Sequence, residues 1–240
     1  MEEVFEKKMS LDKEQEEKEE QPEILEFNFD LKEKLQTEIL FVGLFGLGNL
    51  FIQSKIKKIS QKIGNINFDR RKQRALADIY KTEKGQIALL FNEEVPVNKD
   101  YNLSDSLKNY IEYQQILILD QFHENHFDTR HKKEISQNLR VVSSSLAKQS
   151  NQMEIADQLE VGIPVKGLAA DLLMGCEYDQ KLGQLYLGIV QEYEYNLESL
   201  NVFNPILKLY TQLDNKTDVQ EVKKDIKKYN NQRFSTGIYI

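Results

Sequence analysis

The sequence predicts an α/β protein with a mostly parallel sheet and helices on both faces of that sheet. Three observations support this fold class. Short, continuous apolar runs recur along the chain, which is typical of strands buried on both faces. Segments with a helical spacing of apolar residues follow most of these runs. The chain has 240 residues, of which 40% are hydrophobic, so it is long enough for one substantial domain with tails.

The N-terminal half contains three predicted strands and two predicted helices. The predicted strands are 38–42 (EILFV), 86–91 (QIALLF) and 115–120 (QILILD), each a continuous apolar run. The predicted helices are 49–59, which follows a glycine-rich turn, and 102–113, with Ser104 as its cap. Because strands and helices alternate, the strands are expected to run parallel.

The C-terminal half continues the alternation. The predicted strands are 139–145 (LRVVSSS) and 183–190 (GQLYLGIV). The predicted helices are 165–176, which opens after Pro164, 196–213, which Pro205 kinks or splits, and 218–229.

Both ends of the chain are predicted to lie outside the folded domain, 24–229. Residues 1–20 hold nine acidic residues and four lysines, which supply −5 of the net charge of −7. A segment this polar buries too little surface to offset its ordering entropy, so 1–23 is predicted to be a disordered acidic tail. Residues 230–240 favour no regular structure and are predicted to be a flexible docking tail, with a reach of about 36–40 Å when fully extended.

Composition and charge exclude several classes of protein. The region after residue 20 carries a net charge of only −2, whereas nucleic-acid binding needs a concentrated basic face. Cys176 is the single cysteine, so the chain has no internal disulfide. It is therefore expected in a reducing compartment, which means the cytoplasm and also the nucleus. The apolar stretch 39–52 is too short to span a membrane, and the acidic N-terminus is unlike a secretory signal. We therefore expect a soluble protein without nucleic-acid or membrane partners.

The glycine turn lies between a strand and a helix, which is the setting of a phosphate cradle. Gly43, Gly46 and Gly48 are spaced G-x-x-G-x-G, whereas a dinucleotide fingerprint reads G-x-G-x-x-G. Tight packing of the helix on the strand is therefore the favoured interpretation, and nucleotide binding is the alternative.

A histidine-rich loop follows the third predicted strand, where open α/β sheets place ligand sites. It contains His123, Glu124, His126, Asp128 and His131. These side chains are of the types that hold zinc, but the spacing is not H-E-x-x-H, and we predict an ordinary charged loop without metal.

The nucleophile candidates lack the context that catalysis needs. Cys176 has no cysteine or histidine near it in the sequence, which predicts a buried structural thiol. Ser143, Ser144 and Ser145 lack the G-x-S-x-G elbow.

The C-terminus carries the clearest functional signal. Ile238, Tyr239 and Ile240 form a hydrophobic-Tyr-any ending. On a mobile tail they present an apolar side chain, an amphipathic ring and a free carboxylate that a pocket lysine can neutralise.

Several segments together resemble the proteasome assembly chaperones. The main ones are LEVGIPVKGLAADLLMG (159–175), QLYLGIVQEYEYNLESLNVFNPIL (184–207) and the final GIYI. Within the second segment, the closest local match is Val202, Phe203, Pro205, Ile206 and Leu207. Segments 38–51 and 115–123 are also similar to family strands, whereas 54–85 and 124–150 cannot be aligned.

The resemblance implies a non-enzymatic subunit, without cofactor, on a hydrolase-like or phosphorylase-like α/β layout. It implies a heterodimer with a second, related chaperone subunit that promotes formation of the proteasome α-ring. It also implies that the tail enters a pocket between neighbouring α-subunits. There Ile238 would fill an apolar niche, Tyr239 would pack and hydrogen-bond, and the Ile240 carboxylate would pair with a lysine.

Two alternatives stay open. An enzyme, or a nucleotide- or metal-binding protein, on a phosphorylase-like fold would use the glycine turn or the histidine loop. A scaffold would bind other proteins by charge, through its acidic N-terminus and its basic final helix.

Overall fold

The structure of the chain is a computed structural model. It describes residues 27–57, 60–68, 74–96, 98–126, 138–150, 155–190, 194–210 and 219–235. The predicted N-terminal tail 1–23 and the terminal residues Ile238, Tyr239 and Ile240 lie outside these residues. Within the described part of the chain, no helix is long and apolar enough to cross a membrane.

Nine strands among the described residues form one sheet. They are β1 (Asn28–Asp30), β2 (Leu35–Gly43), β3 (Ser60–Asn67), β4 (Ala77–Thr82), β5 (Ile87–Phe91), β6 (Ile111–His123), β7 (Leu139–Ser143), β8 (Asp157–Gln158) and β9 (Leu182–Val190). Their order in the sheet is β1-β3-β4-β5-β2-β6-β9-β7-β8. The five predicted strands are all present, as β2, β5, β6, β7 and β9.

The expectation of a mostly parallel sheet is wrong, because the sheet is mixed. The four central strands β5, β2, β6 and β9 are parallel, and β7 pairs in parallel with β8. Pairing is antiparallel between β1 and β3, β3 and β4, β4 and β5, and β7 and β9. Between β4 and β5 the chain makes only a short turn at residues 83–86, and strands joined by such a turn pair antiparallel.

The helices lie between these strands and beyond β9. They are α1 (Leu47–Lys55), α2 (Asp100–Tyr110), α3 (Ser145–Gln149), α4 (Gly167–Tyr178), α5 (Leu197–Asn201), α6 (Asn204–Tyr210) and α7 (Val219–Ser235). The predicted split near Pro205 is confirmed, since α5 ends at Asn201 and α6 begins at Asn204. The predicted cap at Ser104 is wrong: α2 begins four residues earlier, and Ser104 is buried inside it.

The last helix is longer than predicted, because it continues through Ser235. The predicted flexible tail 230–240 therefore begins as helix at residues 230–235. Residues 236–240 lie beyond the described helix.

Helices cover both faces of the sheet, as predicted, and each face has its own core. In the central strands, alternate residues enter opposite cores: Leu40 and Val42 lie in one, and Phe41 between them lies in the other. The first core is completed by residues from α2 and α4, such as Leu107 and Leu172. The second core takes its helical residues from α1, α5, α6 and α7. A central strand buried on both faces explains the continuous apolar runs of the sequence.

Candidate functional site

The candidate site is a cleft at the carboxyl ends of the central parallel strands. At this edge, β2 continues into the glycine turn and α1, whereas its neighbour β5 continues through α2 to β6. The two neighbouring strands therefore continue in different directions. Such a switch point opens a crevice in α/β sheets. Here the cleft has a volume of about 960 Å³ and is bounded by the ends of β5 and β6, the start of the glycine turn, and segment 164–169.

The glycine turn brings α1 into close contact with the sheet. A Cβ atom at Gly48 would lie 2.0 Å from the carbonyl oxygen of Leu119 on β6, and one at Gly43 would lie 2.7 Å from the Gly48 carbonyl oxygen. Gly46 has a φ of 117°, which side chains with a Cβ rarely adopt. These glycines therefore allow helix and strand to pack in direct backbone contact, as the favoured interpretation of the sequence predicts.

Protein side chains bind the N–H groups at the start of α1. The Gly46 N–H donates to the hydroxyl of Tyr229 at 2.8 Å, and the Leu47 N–H donates to Oε1 of Gln121 at 3.2 Å. The Tyr195 hydroxyl donates to the same Gln121 oxygen. A phosphate cradle needs such N–H groups to point at its ligand, so this arrangement argues against the nucleotide alternative.

The same contacts hold the last helix on the sheet. The ring of Tyr229 on α7 lies 6.0 Å from that of Phe45 and 5.8 Å from that of Tyr195, measured between centroids. Next to it, the Asn230 amide exchanges two hydrogen bonds with the backbone of Tyr195, at 3.0 and 3.3 Å. Asn230, which the sequence assigns to a flexible tail, is thus part of an anchored helix.

Asp120, near the end of β6, lines the cleft and is a residue that sequence reasoning missed as a candidate. Burial and the neighbouring Glu94 carboxylate raise its pKa to about 7, while a hydrogen bond from the Gln121 N–H, 2.8 Å from Oδ1, acts in the opposite direction. The sequence signal was the one acidic residue at the end of the run QILILD. At neutral pH this carboxyl group can therefore exchange a proton.

A second acidic residue connects two helices at the cleft. Asp100, the first residue of α2, accepts hydrogen bonds from its own N–H and from the N–H of Leu168 in α4. Burial and the Asp171 carboxylate raise the pKa of Asp100. Its carboxylate thus stabilises the first turn of α4.

The histidine loop is only partly described. His123 ends β6 and lines the cleft, and Glu124 and His126 form a single 3₁₀ turn. Asp128 and His131 lie outside the described residues. Within the described part of the chain, no three His, Cys, Asp or Glu side chains are grouped as a metal ion would need.

The nucleophile candidates serve the packing of the sheet. Cys176 is fully buried, and burial raises its pKa to about 11, despite a hydrogen bond with Tyr113 and the nearby Lys181. The Ser144 hydroxyl oxygen accepts from the Gly183 N–H at 3.0 Å and from the Ala147 N–H at 3.4 Å. The thiol is therefore the structural one predicted, and Ser144 caps α3.

Three solved structures illustrate what the chain is similar to. A protein with unknown function from Thermoplasma acidophilum has a TM-score of 0.67 at 13% identity, over 85% of this chain and 90% of its own. PbaA of Pyrococcus furiosus, an archaeal homolog of proteasome-assembly chaperone, has a TM-score of 0.65 at 14% identity, over 88% and 96%. PbaB of the same organism, an archaeal proteasome activator, has a TM-score of 0.61 at 13% identity, over 89% and 100%.

No family model matches the sequence, and no curated protein does either. At identities of 13–14%, the likeness to the solved structures establishes a common fold. The chain thus has the fold of the archaeal homologs of proteasome-assembly chaperones.

Proposed function

We propose that this chain is a proteasome assembly chaperone and the counterpart of proteasome assembly chaperone 1. It pairs with a second, related chaperone subunit and promotes α-ring formation of the proteasome core particle, in the cytoplasm and the nucleus. Its terminal residues Ile238, Tyr239 and Ile240 dock into a pocket between neighbouring α-subunits. The role involves no catalysis and no cofactor.

The observation that carries this proposal is the fold likeness to PbaA, which extends over 88% of the chain. A fold alone does not fix a function, but the resemblance of segments 159–175 and 184–207 to the same family comes from the sequence, independently of the coordinates. PbaB, which has the same fold, is a proteasome activator, and this supports the proteasome as the partner.

The attachment of α7 supports the docking role of the terminal residues. Tyr229 and Asn230 hold this helix on the glycine turn and on Tyr195, and the chain continues beyond Ser235 towards Ile240. Under this proposal, the segment that leads to the terminal residues starts from a helix fixed on the body. A fixed starting point reduces the entropy that is lost when the terminus binds.

The proposal is tested by truncating the chain after Gly237 and measuring its binding to isolated α-rings. We expect an unchanged melting temperature and at least a tenfold weaker affinity, since three terminal contacts of hot-spot type are lost. A chain with two glycines added after Ile240 keeps the side chains but moves the carboxylate, and should bind as weakly as the truncated chain.

Tyr101→Ala is the matched control, because Tyr101 is 71% exposed and lies on α2, away from the last helix. It should bind α-rings like the wild type. Equal binding by the wild-type and truncated chains would disprove docking through the terminus. Co-purification followed by mass spectrometry would identify the second subunit, and recovery without any chaperone subunit or α-subunit would contradict the proposed role.

A further inference from the structure

The cleft at the carboxyl edge has the size and walls of a ligand site, and the proposed docking of the terminal residues does not account for it. Its volume of about 960 Å³ is at the upper end of the range for small-molecule sites, about 300–1,000 Å³. Its apolar walls come from four places in the sequence and include Leu44, Phe45, Val95, Phe122 and Val165. A pocket of this kind binds the hydrocarbon part of a ligand.

The charged groups that line the cleft define the chemistry of the polar end of the ligand. Among the described lining residues, four are acidic and one is a lysine: Glu93, Glu94, Asp100, Asp120 and Lys166, with His123 beside them. Asp100 already accepts the N–H of Leu168, and Lys166 is exposed. Glu94 is the acidic residue whose carboxylate acts on Asp120: after burial, it contributes to the raised pKa of Asp120.

Two neighbouring carboxylates in a partly buried site are stabilised by a cation between them. A cation offsets the cost of removing the ionised Asp120 from water and the unfavourable effect of the Glu94 carboxylate on it. An ammonium group supplies three donors for these oxygens. Its apolar stem would lie along the walls formed by Phe45 and Val165.

We propose that this cleft binds a ligand with a primary ammonium group on an apolar stem, with the ammonium held by the carboxylates of Glu94 and Asp120. A free alkylamine and the lysine side chain of a partner protein share this chemistry. The inference does not rest on the proposed chaperone function, since it does not involve the terminal residues.

The pH dependence of binding follows from the state of Asp120. An ammonium group binds the ionised carboxylate, and with a pKa of about 7 the ionised fraction rises about tenfold between pH 6 and pH 8. Affinity for the amine should rise by the same factor. A neutral ligand of similar shape should show no such increase.

The experiment is isothermal titration of the full chain at pH 6 and pH 8 with three probes. These are 1,5-diaminopentane, Nα-acetyl-lysine methylamide, and 1-hexanol as the neutral control. Saturable binding of either amine that strengthens about tenfold at pH 8 supports the site. Binding of the diamine alone identifies a free amine as the ligand, and binding of the lysine derivative identifies a protein side chain.

Two variants separate the site from unspecific attraction. Asp120→Asn and Glu94→Gln should each weaken amine binding at least tenfold at pH 8. If Asp120→Asn changes the circular dichroism spectrum, and so the fold, the result for Glu94→Gln alone tests the site. Asp105→Asn, on the exposed side of α2, removes the same charge outside the cleft and should bind like the wild type. The inference is overturned if neither amine binds, if 1-hexanol binds equally well, or if the cleft variants bind unchanged.

Discussion

Replacing Gly48 by alanine tests whether the glycine turn is needed for the close packing of α1 on β6. The added Cβ would lie 2.0 Å from the Leu119 carbonyl oxygen and 2.6 Å from its carbonyl carbon. Both are backbone atoms of a fully buried residue on β6, so α1 must move away from the sheet. Overpacking a core costs about 1–3 kcal/mol and sometimes more, whereas alanine returns about 1 kcal/mol of helix propensity.

We expect Gly48→Ala to lower the free energy of unfolding by about 2 kcal/mol, because strain against backbone atoms lies near the top of that range, about 3 kcal/mol, and the gain in helix propensity offsets about 1 kcal/mol. For a chain of this size, this corresponds to a melting temperature about 4–8 °C lower. The measurement is thermal unfolding followed by circular dichroism.

Gly175→Ala is the matched control in α4, since its Cβ would meet the flexible end of the Lys108 side chain at 3.4 Å and the Ser104 hydroxyl oxygen at an ordinary contact distance of 3.8 Å. Gly175→Ala gains the same helix propensity as Gly48→Ala, so it should raise the melting temperature slightly or leave it unchanged. A Gly48→Ala protein within about 2 °C of the wild type would refute the packing account.

Two further predictions concern the surroundings of the cleft. Tyr229→Phe keeps the ring contacts of α7 but leaves the Gly46 N–H without its acceptor, so stability should fall by about 1 kcal/mol; an unchanged urea midpoint would show that this hydrogen bond contributes nothing. Because folding raises the pKa of Asp120 to about 7, its favourable contribution is complete below about pH 4 and is lost as the pH rises through 7. The melting temperature of the wild type relative to Asp120→Asn should therefore fall between pH 5 and pH 8, and a constant difference would contradict the raised pKa.

The central part of the fold could be predicted because burial on both faces leaves a clear sequence pattern. Runs such as QILILD stand out, since their four apolar residues, 116–119, enter the two cores alternately. Strand β3 (SQKIGNIN) could not be found in this way, because only Ile66 of its residues is fully buried. Without β3 and β4, the alternation of strands and helices suggested a sheet more parallel than the real one.

The candidate site was predictable in position but not in content. The edge follows from the rule for open α/β sheets, and His123 was placed there from the sequence. The partners of the glycine turn were not predictable, because Gln121 and Tyr229 lie 74 and 183 residues from the N–H groups they accept. Contacts at such separations depend on the complete fold.

The length of α7 limits how far Ile240 can lie from the folded body. The helix continues to Ser235, and five residues, 236–240, separate its end from the proposed docking carboxylate of Ile240; five residues span at most about 16–18 Å. That is less than half the reach expected for an eleven-residue tail. In the proposed docking, a receptor for the Ile240 carboxylate would have to come within about 2 nm of the end of this helix, so the surface around the helix end would be close enough to contact the receptor as well.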